Sequence, residues 1–187
     1  LNPVLTIGEQ IAEPLVLHKG LSWQEARAEA RRLLDLVRIP DAAQRMAQYP
    51  HQLSGGMRQR VMISIGLACK PEILIADEPT TALDVTIQAQ VLALLQEIRR
   101  DQGLSIVLIT HDLGVVANFA DRVAVMYAGD LVETAPVDDL FNRPTHPYTQ
   151  ALMRTIPRAD RTAELCPIVG QVPSIQEMPE GCRFAPR

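Results

Sequence analysis

Between Ile73 and Tyr127 the sequence alternates short runs of consecutive apolar residues with longer runs of helical period, and this alternation constrains the fold more than any other feature. Ile73-Leu74-Ile75-Ala76 is a short all-apolar run, the pattern of a parallel strand covered on both faces. Val85 to Arg100 returns to helical period, with Val91, Leu94, Leu95 and Ile98 on one side. Ser105 to Ile109 reads as a second buried strand, Leu113 to Phe119 as a short helix and Arg122 to Tyr127 as a third strand. Strand, helix, strand, helix, strand predicts an α/β fold with a parallel sheet flanked by helices.

The first fifty residues contain no strand pattern and read as a helical block. An apolar stretch from about Leu5 to Lys19 is expected to break at Pro14 and end at Gly20. Ser22 has the chemistry of a helix N-cap, with Glu25 three residues on as its capping-box partner. Ala26, Ala30, Leu33, Leu34 and Val37 then recur at helical spacing, and Trp23 is expected to join that core. Pro40 stops the helix. Ser54-Gly55-Gly56 opens another helix, with Met57, Val61, Ile65 and Ala68 as one buried stripe and Cys69 in the same buried helix. After Gly129 prolines punctuate the chain and an irregular appendage is expected, with short helices near Val137–Phe141 and Tyr148–Thr155.

The formal net charge of -4 gives no electrostatic case for a nucleic-acid partner. Cys69, Cys166 and Cys182 are an odd number at wide spacing, which fits a reducing compartment better than a disulfide framework. No apolar run approaches the roughly 20 residues that a bilayer-spanning helix needs, and no signal peptide is evident. Because the chain starts at Leu1 in mid-stretch, a fragment of a longer protein is expected.

Three local patterns carry chemistry. Asp77 and Glu78 directly follow the first strand, and in open parallel sheets ligands bind just beyond the carboxyl ends of the strands. A carboxylate there can hold Mg²⁺, and a second one beside it can polarise an attacking water. The same pair can equally be a solvated loop capping the next element. Leu53-Ser54-Gly55-Gly56-Met57 combines a capping serine with two glycines that let backbone N–H groups approach an anion. Ser-Gly-Gly before a helix is also an ordinary turn. His111 follows the second strand, at the expected sheet edge, where an imidazole can hydrogen-bond to phosphate or water or serve structure alone.

In this order and spacing, these patterns resemble the nucleotide-binding domains of ABC ATPases. Leu53-Ser54-Gly55-Gly56-Met57-Arg58-Gln59-Arg60 looks like the family's signature motif. Ile73 to Glu78 looks like its Walker B strand with the catalytic glutamate, Leu83-Asp84 like its D-loop and His111 like its switch histidine. The resemblance covers Leu1 to about Thr155. It implies the C-terminal part of a RecA-like P-loop NTPase core: a helical subdomain over 1–52, the signature motif and second half of the core over 53–135, and a C-terminal extension over 136–187. It also implies roles. Glu78 polarises water, His111 contacts the γ-phosphate and Asp77 helps hold Mg²⁺. Leu53, Ser54, Gly55, Gly56 and Gln59 grip the ATP of a partner subunit, and Asp84 couples the two sites.

The glycine-rich phosphate loop G-x-x-x-x-G-K-[ST] does not occur among these residues, since neither Lys19 nor Lys70 follows a glycine. Leu1-Asn2-Pro3 resembles the residues just after the family's Gln-loop. Residues 1–187 alone are therefore expected to lack ATPase activity. Asn142 to Thr149, Tyr49-Pro50-His51-Gln52 and Pro179 to Arg187 resemble the ATP-binding subunits of oligopeptide and dipeptide importers. That resemblance implies ATP and Mg²⁺, a second ATPase subunit, membrane permease subunits at the cytoplasmic face and, indirectly, an extracytoplasmic solute-binding protein. An iron–sulfur cluster needs about four thiolates, and Cys182 is the only cysteine matching the family's extension, so none is expected here. Two alternatives stand beside this reading: a non-transport ABC ATPase, and a non-catalytic remnant that dimerises with an intact copy.

Overall fold

Side-chain periodicity and capping chemistry account for most elements of the computed structural model, which describes residues 1–155 and 167–187. The chain divides into two units, Leu1–Thr110 and His111–Arg187.

The first unit opens with three helices, α1 (Ile7–Lys19), α2 (Trp23–Leu36) and the single turn α3 (Ala42–Arg45). Both long helices start with full capping boxes: Thr6 with Glu9, and Ser22 with Glu25. In each, a hydroxyl satisfies the N3 amide while the glutamate satisfies the cap amide. The α2 stripe is buried as its spacing predicts, with Ala26, Ala30, Leu34 and Val37 fully inaccessible. Burying each large member of that stripe stabilises the unit by about 1.5 to 3 kcal/mol.

Four expectations are corrected here. Pro14 does not break α1, which runs through it to Lys19 and ends on Gly20 in the left-handed conformation. The helix keeps its course because Ile7, Ile11, Ala12 and Leu15 bury one face around the missing amide. Trp23 is half exposed, since it occupies the first helical position, ahead of the buried stripe. In α4 (Gly55–Leu67) the inward face is wider than predicted and includes Ile63, Ser64 and Leu67. Cys69 lies beyond the end of that helix and is only partly buried, with its thiol donating to the Pro14 carbonyl at 3.5 Å.

Strand β1 (Ile73–Asp77) pairs in parallel with β2 (Ser105–Ile109), Ile73 facing Ser105 and Asp77 facing Ile109. Helix α5 (Val85–Gln102) links them and buries Val91, Leu94, Leu95 and Ile98. The strands are not covered on both faces. Ile73, Ile75, Val107 and Ile109 are 60, 67, 50 and 48% exposed, so one whole face of the pair is open.

The second unit departs most from expectation. Helix α6 (Leu113–Phe119) leads to β3 (Arg122–Tyr127), which does not extend the parallel pair. It pairs antiparallel with β4 (Asp130–Pro136), a strand in the stretch expected to be irregular. Ala128 and Gly129 both have positive φ, 49° and 90°, as a two-residue type I′ hairpin turn requires. A register shift between Val125 and Met126 carries the bulge of this hairpin. Helices α7 (Val137–Asn142) and α8 (Pro147–Arg154) follow where expected. Val125, Leu140 and Met153 form the small core. Tyr148 packs 4.6 Å from Tyr127 and 5.3 Å from Phe184, ring centre to ring centre.

Candidate functional site

The carboxyl end of β1 gathers the acidic candidates of the first unit. Asp77 is the last strand residue, and the Glu78 amide donates to the Ile109 carbonyl at 2.9 Å, extending the ladder by one step. Glu78 then turns the chain with a φ of 44°, a left-handed backbone that a non-glycine residue adopts only at a cost of about 1 to 3 kcal/mol. Thr81 holds the turn twice. Its amide donates to the Glu78 carbonyl at 3.2 Å and its hydroxyl to Glu78 Oε2 at 2.8 Å. Ala82, at φ 63°, is the second left-handed residue of this loop.

Asp84 ends the loop as the N-cap of α5, its Oδ1 accepting from the Ile87 amide at 2.9 Å. A role for this carboxylate in coupling two sites would use its remaining lone pairs.

The start of α4 packs against the same segment. A Cβ placed on Gly55 would lie 3.4 Å from Leu83 Cδ2, and one on Gly56 would lie 2.6 Å from Ile87 Cγ2. Ser54 caps α4 by accepting from the Met57 amide at 3.3 Å, which leaves its O–H to donate outward. Leu53 is buried and anchors this turn, so only its main chain could face a ligand. Gln59 is half-buried on the second turn. Before the motif, Pro50–Gln52 forms a 3₁₀ turn on which Tyr49 and His51 stack at 5.8 Å.

Arg60, at the end of the motif, is a strut that sequence reasoning missed. Its guanidinium donates to the Val37 carbonyl at 2.9 Å and to Gln90 Oε1 at 3.4 Å, tying α4 to α5 and the end of α2. Burial, with Arg38 nearby, holds its pKa below the ordinary arginine value. No local spacing signals such a contact.

His111 belongs to the second unit. It follows the last residue of β2 by two positions and precedes Asp112, whose Oδ1 caps α6 by accepting from Gly114 and Val115. In the same unit Glu133 was not singled out from sequence, yet it organises the start of α8. Its carboxylate accepts from the Thr145 amide and hydroxyl, both at 2.8 Å, and from the His146 amide at 3.0 Å. Burial pushes the Glu133 pKa up, but hydrogen bonding from Thr149, Thr145 and His146 outweighs it and holds the group at about 2. The Thr149 hydroxyl, fully buried, contributes without reaching a well-formed hydrogen bond. Cys182 lies 3.6 Å from His146 Nε2, and Cys166 falls outside the described residues.

Comparison with known proteins gives the same family resemblance. Residues 1–81 match the ABC transporter family model, and residues 132–187 match the C-terminal region of oligopeptide/dipeptide transporters. Over its whole length the chain is similar to ABC transporter ATP-binding proteins of the oligopeptide/dipeptide type. It is 60% identical to the oligopeptide transport ATP-binding protein AppD and 57% identical to the dipeptide transport ATP-binding protein DppD, both of Bacillus subtilis. A putative peptide import ATP-binding protein of Brucella abortus is 58% identical. Each match takes in 100% of this chain but only 56 to 57% of the relative, so the chain spans a little over half the length of these proteins. Among solved structures it resembles an ATP-binding cassette dimer in a post-hydrolysis state bound to ADP and Pi. The TM-score is 0.63 at 32% identity, covering 73% of this chain and 59% of the other. The α/β class, with its parallel strand pair and flanking helices, is that of these nucleotide-binding cassettes.

Proposed function

We propose that this chain supplies part of an ABC-type subunit that hydrolyses ATP to energise import of oligopeptides or dipeptides. The observation that carries the reading is Glu78. It stands one residue beyond a parallel strand, in a strained left-handed conformation, with its carboxylate held by Thr81. Strain of this kind gathers at functional sites because the surroundings must maintain it. In this reading Glu78 orients and polarises the attacking water, and His111 contacts the γ-phosphate. Ser54, through its O–H, and the main chain of Leu53, Gly55 and Gly56 hold the ATP of a partner subunit, with Gln59 beside them. Asp84 couples the two nucleotide sites. Asp77, an exposed carboxylate at the strand end, suits a hard cation. Mg²⁺ there would neutralise charge developing on the phosphates.

The division of labour follows the family: residues 1–52 as helical subdomain, 53–135 as signature motif and second half of the core, and 136–187 as the importer-type extension. The partners are a second ATPase subunit and membrane permease subunits at the cytoplasmic face, with a solute-binding protein acting indirectly. None of the described helices is long and apolar enough to cross a membrane, which suits attachment through separate permeases.

The test is a chimera joining the preceding segment of the Bacillus subtilis oligopeptide transport ATP-binding protein to residues 1–187. The chimera should hydrolyse ATP, while Glu78→Gln should lower turnover by about a hundredfold or more, as loss of a general base does. Residues 1–187 alone should not turn over ATP. A chimera whose turnover is indifferent to Glu78→Gln overturns the assignment.

A further inference from the structure

The only two lysines of the chain, Lys19 and Lys70, line one cavity of the first unit. The cavity, of ≈ 770 Å³, is an open cleft bordered by the end of α1, one face of α2 and the turn after α4, and shares no residue with the β1 edge. That volume falls within the range of about 300 to 1,000 Å³ usual for small-molecule sites. Leu15, Leu21, Ala28 and Ala68 supply apolar lining.

The charges of the lining are unevenly committed. Glu25 is occupied by its capping box, accepting from the Ser22 amide and hydroxyl at 2.9 and 2.7 Å. Glu29 is closed in a two-point pair with Arg32, at 2.8 and 2.6 Å, which also occupies the guanidinium. Lys70 feels Glu29 only through space. Among the described residues neither lysine side chain makes a hydrogen bond or a close ion pair. Both carboxylates are therefore answered locally, and two ammonium groups remain beside an apolar wall. Lys70 is held at its place by a left-handed backbone, φ 49°, with its amide donating to the Leu67 carbonyl at 2.9 Å.

We infer that this cavity binds a small organic carboxylate with an apolar body, the Lys19 and Lys70 ammonium groups taking the carboxylate and the Leu15–Leu21–Ala28–Ala68 wall the hydrocarbon. Both a peptide carboxyl terminus and a free acyl carboxylate have this chemistry. The inference is independent of ATP hydrolysis, because the site needs no nucleotide.

The test is calorimetric titration of residues 1–187 with N-acetyl-leucyl-leucine, its carboxamide, decanoate below its micellar range and inorganic phosphate. At least one of the two carboxylates should bind saturably with a Kd of about 1 mM or tighter. Removing the negative charge in the carboxamide should weaken peptide binding by about tenfold, and phosphate should bind more weakly than the better carboxylate. Lys19→Gln with Lys70→Gln should weaken carboxylate binding by about tenfold while leaving the far-ultraviolet circular dichroism unchanged. Preference for the peptide or for decanoate identifies the source. The proposal is overturned if neither carboxylate binds saturably, if phosphate binds as well as the better carboxylate, or if the double variant binds as wild type does. For a peptide-binding site, equal affinity of the carboxamide overturns it too, a comparison made on the wild-type chain that needs no variant to fold.

Discussion

Gly56 and Ile87 meet so closely that no side chain fits between them: a Cβ on Gly56 would lie 2.6 Å from Ile87 Cγ2. Helix propensity favours alanine over glycine by about 0.5 to 1 kcal/mol, but overpacking of this kind costs about 1 to 3 kcal/mol. Ile87 is β-branched and cannot swing aside. Gly56→Ala should therefore lower stability by about 1 kcal/mol in urea denaturation, and Ile87→Ala in the same chain should restore part of it. Gly55→Ala, with 3.4 Å to Leu83 Cδ2, should be tolerated within about 0.5 kcal/mol. Packing thus accounts for glycine at 56 but not at 55.

Glu78 gives the second expected outcome. Its left-handed backbone suits glycine, so Glu78→Gly should raise stability despite the loss of the Thr81 contact. A gain of about 0.5 to 1 kcal/mol is expected from thermal or urea unfolding. In the chimera the same change should remove turnover. A Glu78→Gly chain less stable than wild type would mean that the carboxylate is part of the scaffold.

The parts of this molecule that sequence reveals are those set by neighbours along the chain. The Ser22–Glu25 capping box, the Ala26-to-Val37 stripe and the run ending in Asp77-Glu78 are local, and the structure realises each. Contacts distant in sequence were not legible. Nothing in the spacing of Gly56 and Ile87, or of Arg60 and Val37, announces that they touch. Strand β4 was missed because Gly129 reads as the start of an irregular stretch when it is the second residue of a tight turn. The exposed face of Ile73 and Ile75 was missed because an apolar run signals what a strand is suited to, not what covers it in these residues.

Pro14 makes the third case. It sits inside α1 without an amide to donate, and proline in a helix interior is less favourable than alanine by about 3 kcal/mol. Pro14→Ala should stabilise the chain by about 1 to 2 kcal/mol, the remainder being offset by the relaxation already present around the proline. Thermal unfolding of the two chains decides it. An unchanged or lower midpoint would show that the proline ring is itself a packing element.

Glu133 predicts how the second unit responds to acid. Its folded pKa of about 2 lies below the unfolded value of 4.5, so the folded state prefers the charged form. The contribution of a depressed carboxylate is complete above the unfolded pKa and disappears as pH falls through the folded one. The window therefore runs from about pH 4.5 down to about pH 2. The carboxylate is partly exposed, so solvent screening reduces its worth, and about 1 to 2 kcal/mol is expected at neutral pH. Glu133→Gln keeps the shape but cannot accept at both oxygens from Thr145 and His146. Its stability should lie below wild type at pH 7, and the two should converge as the pH is lowered through that window. A difference that stays constant from pH 7 to pH 3 would mean that shape, not charge, holds the start of α8 to β4.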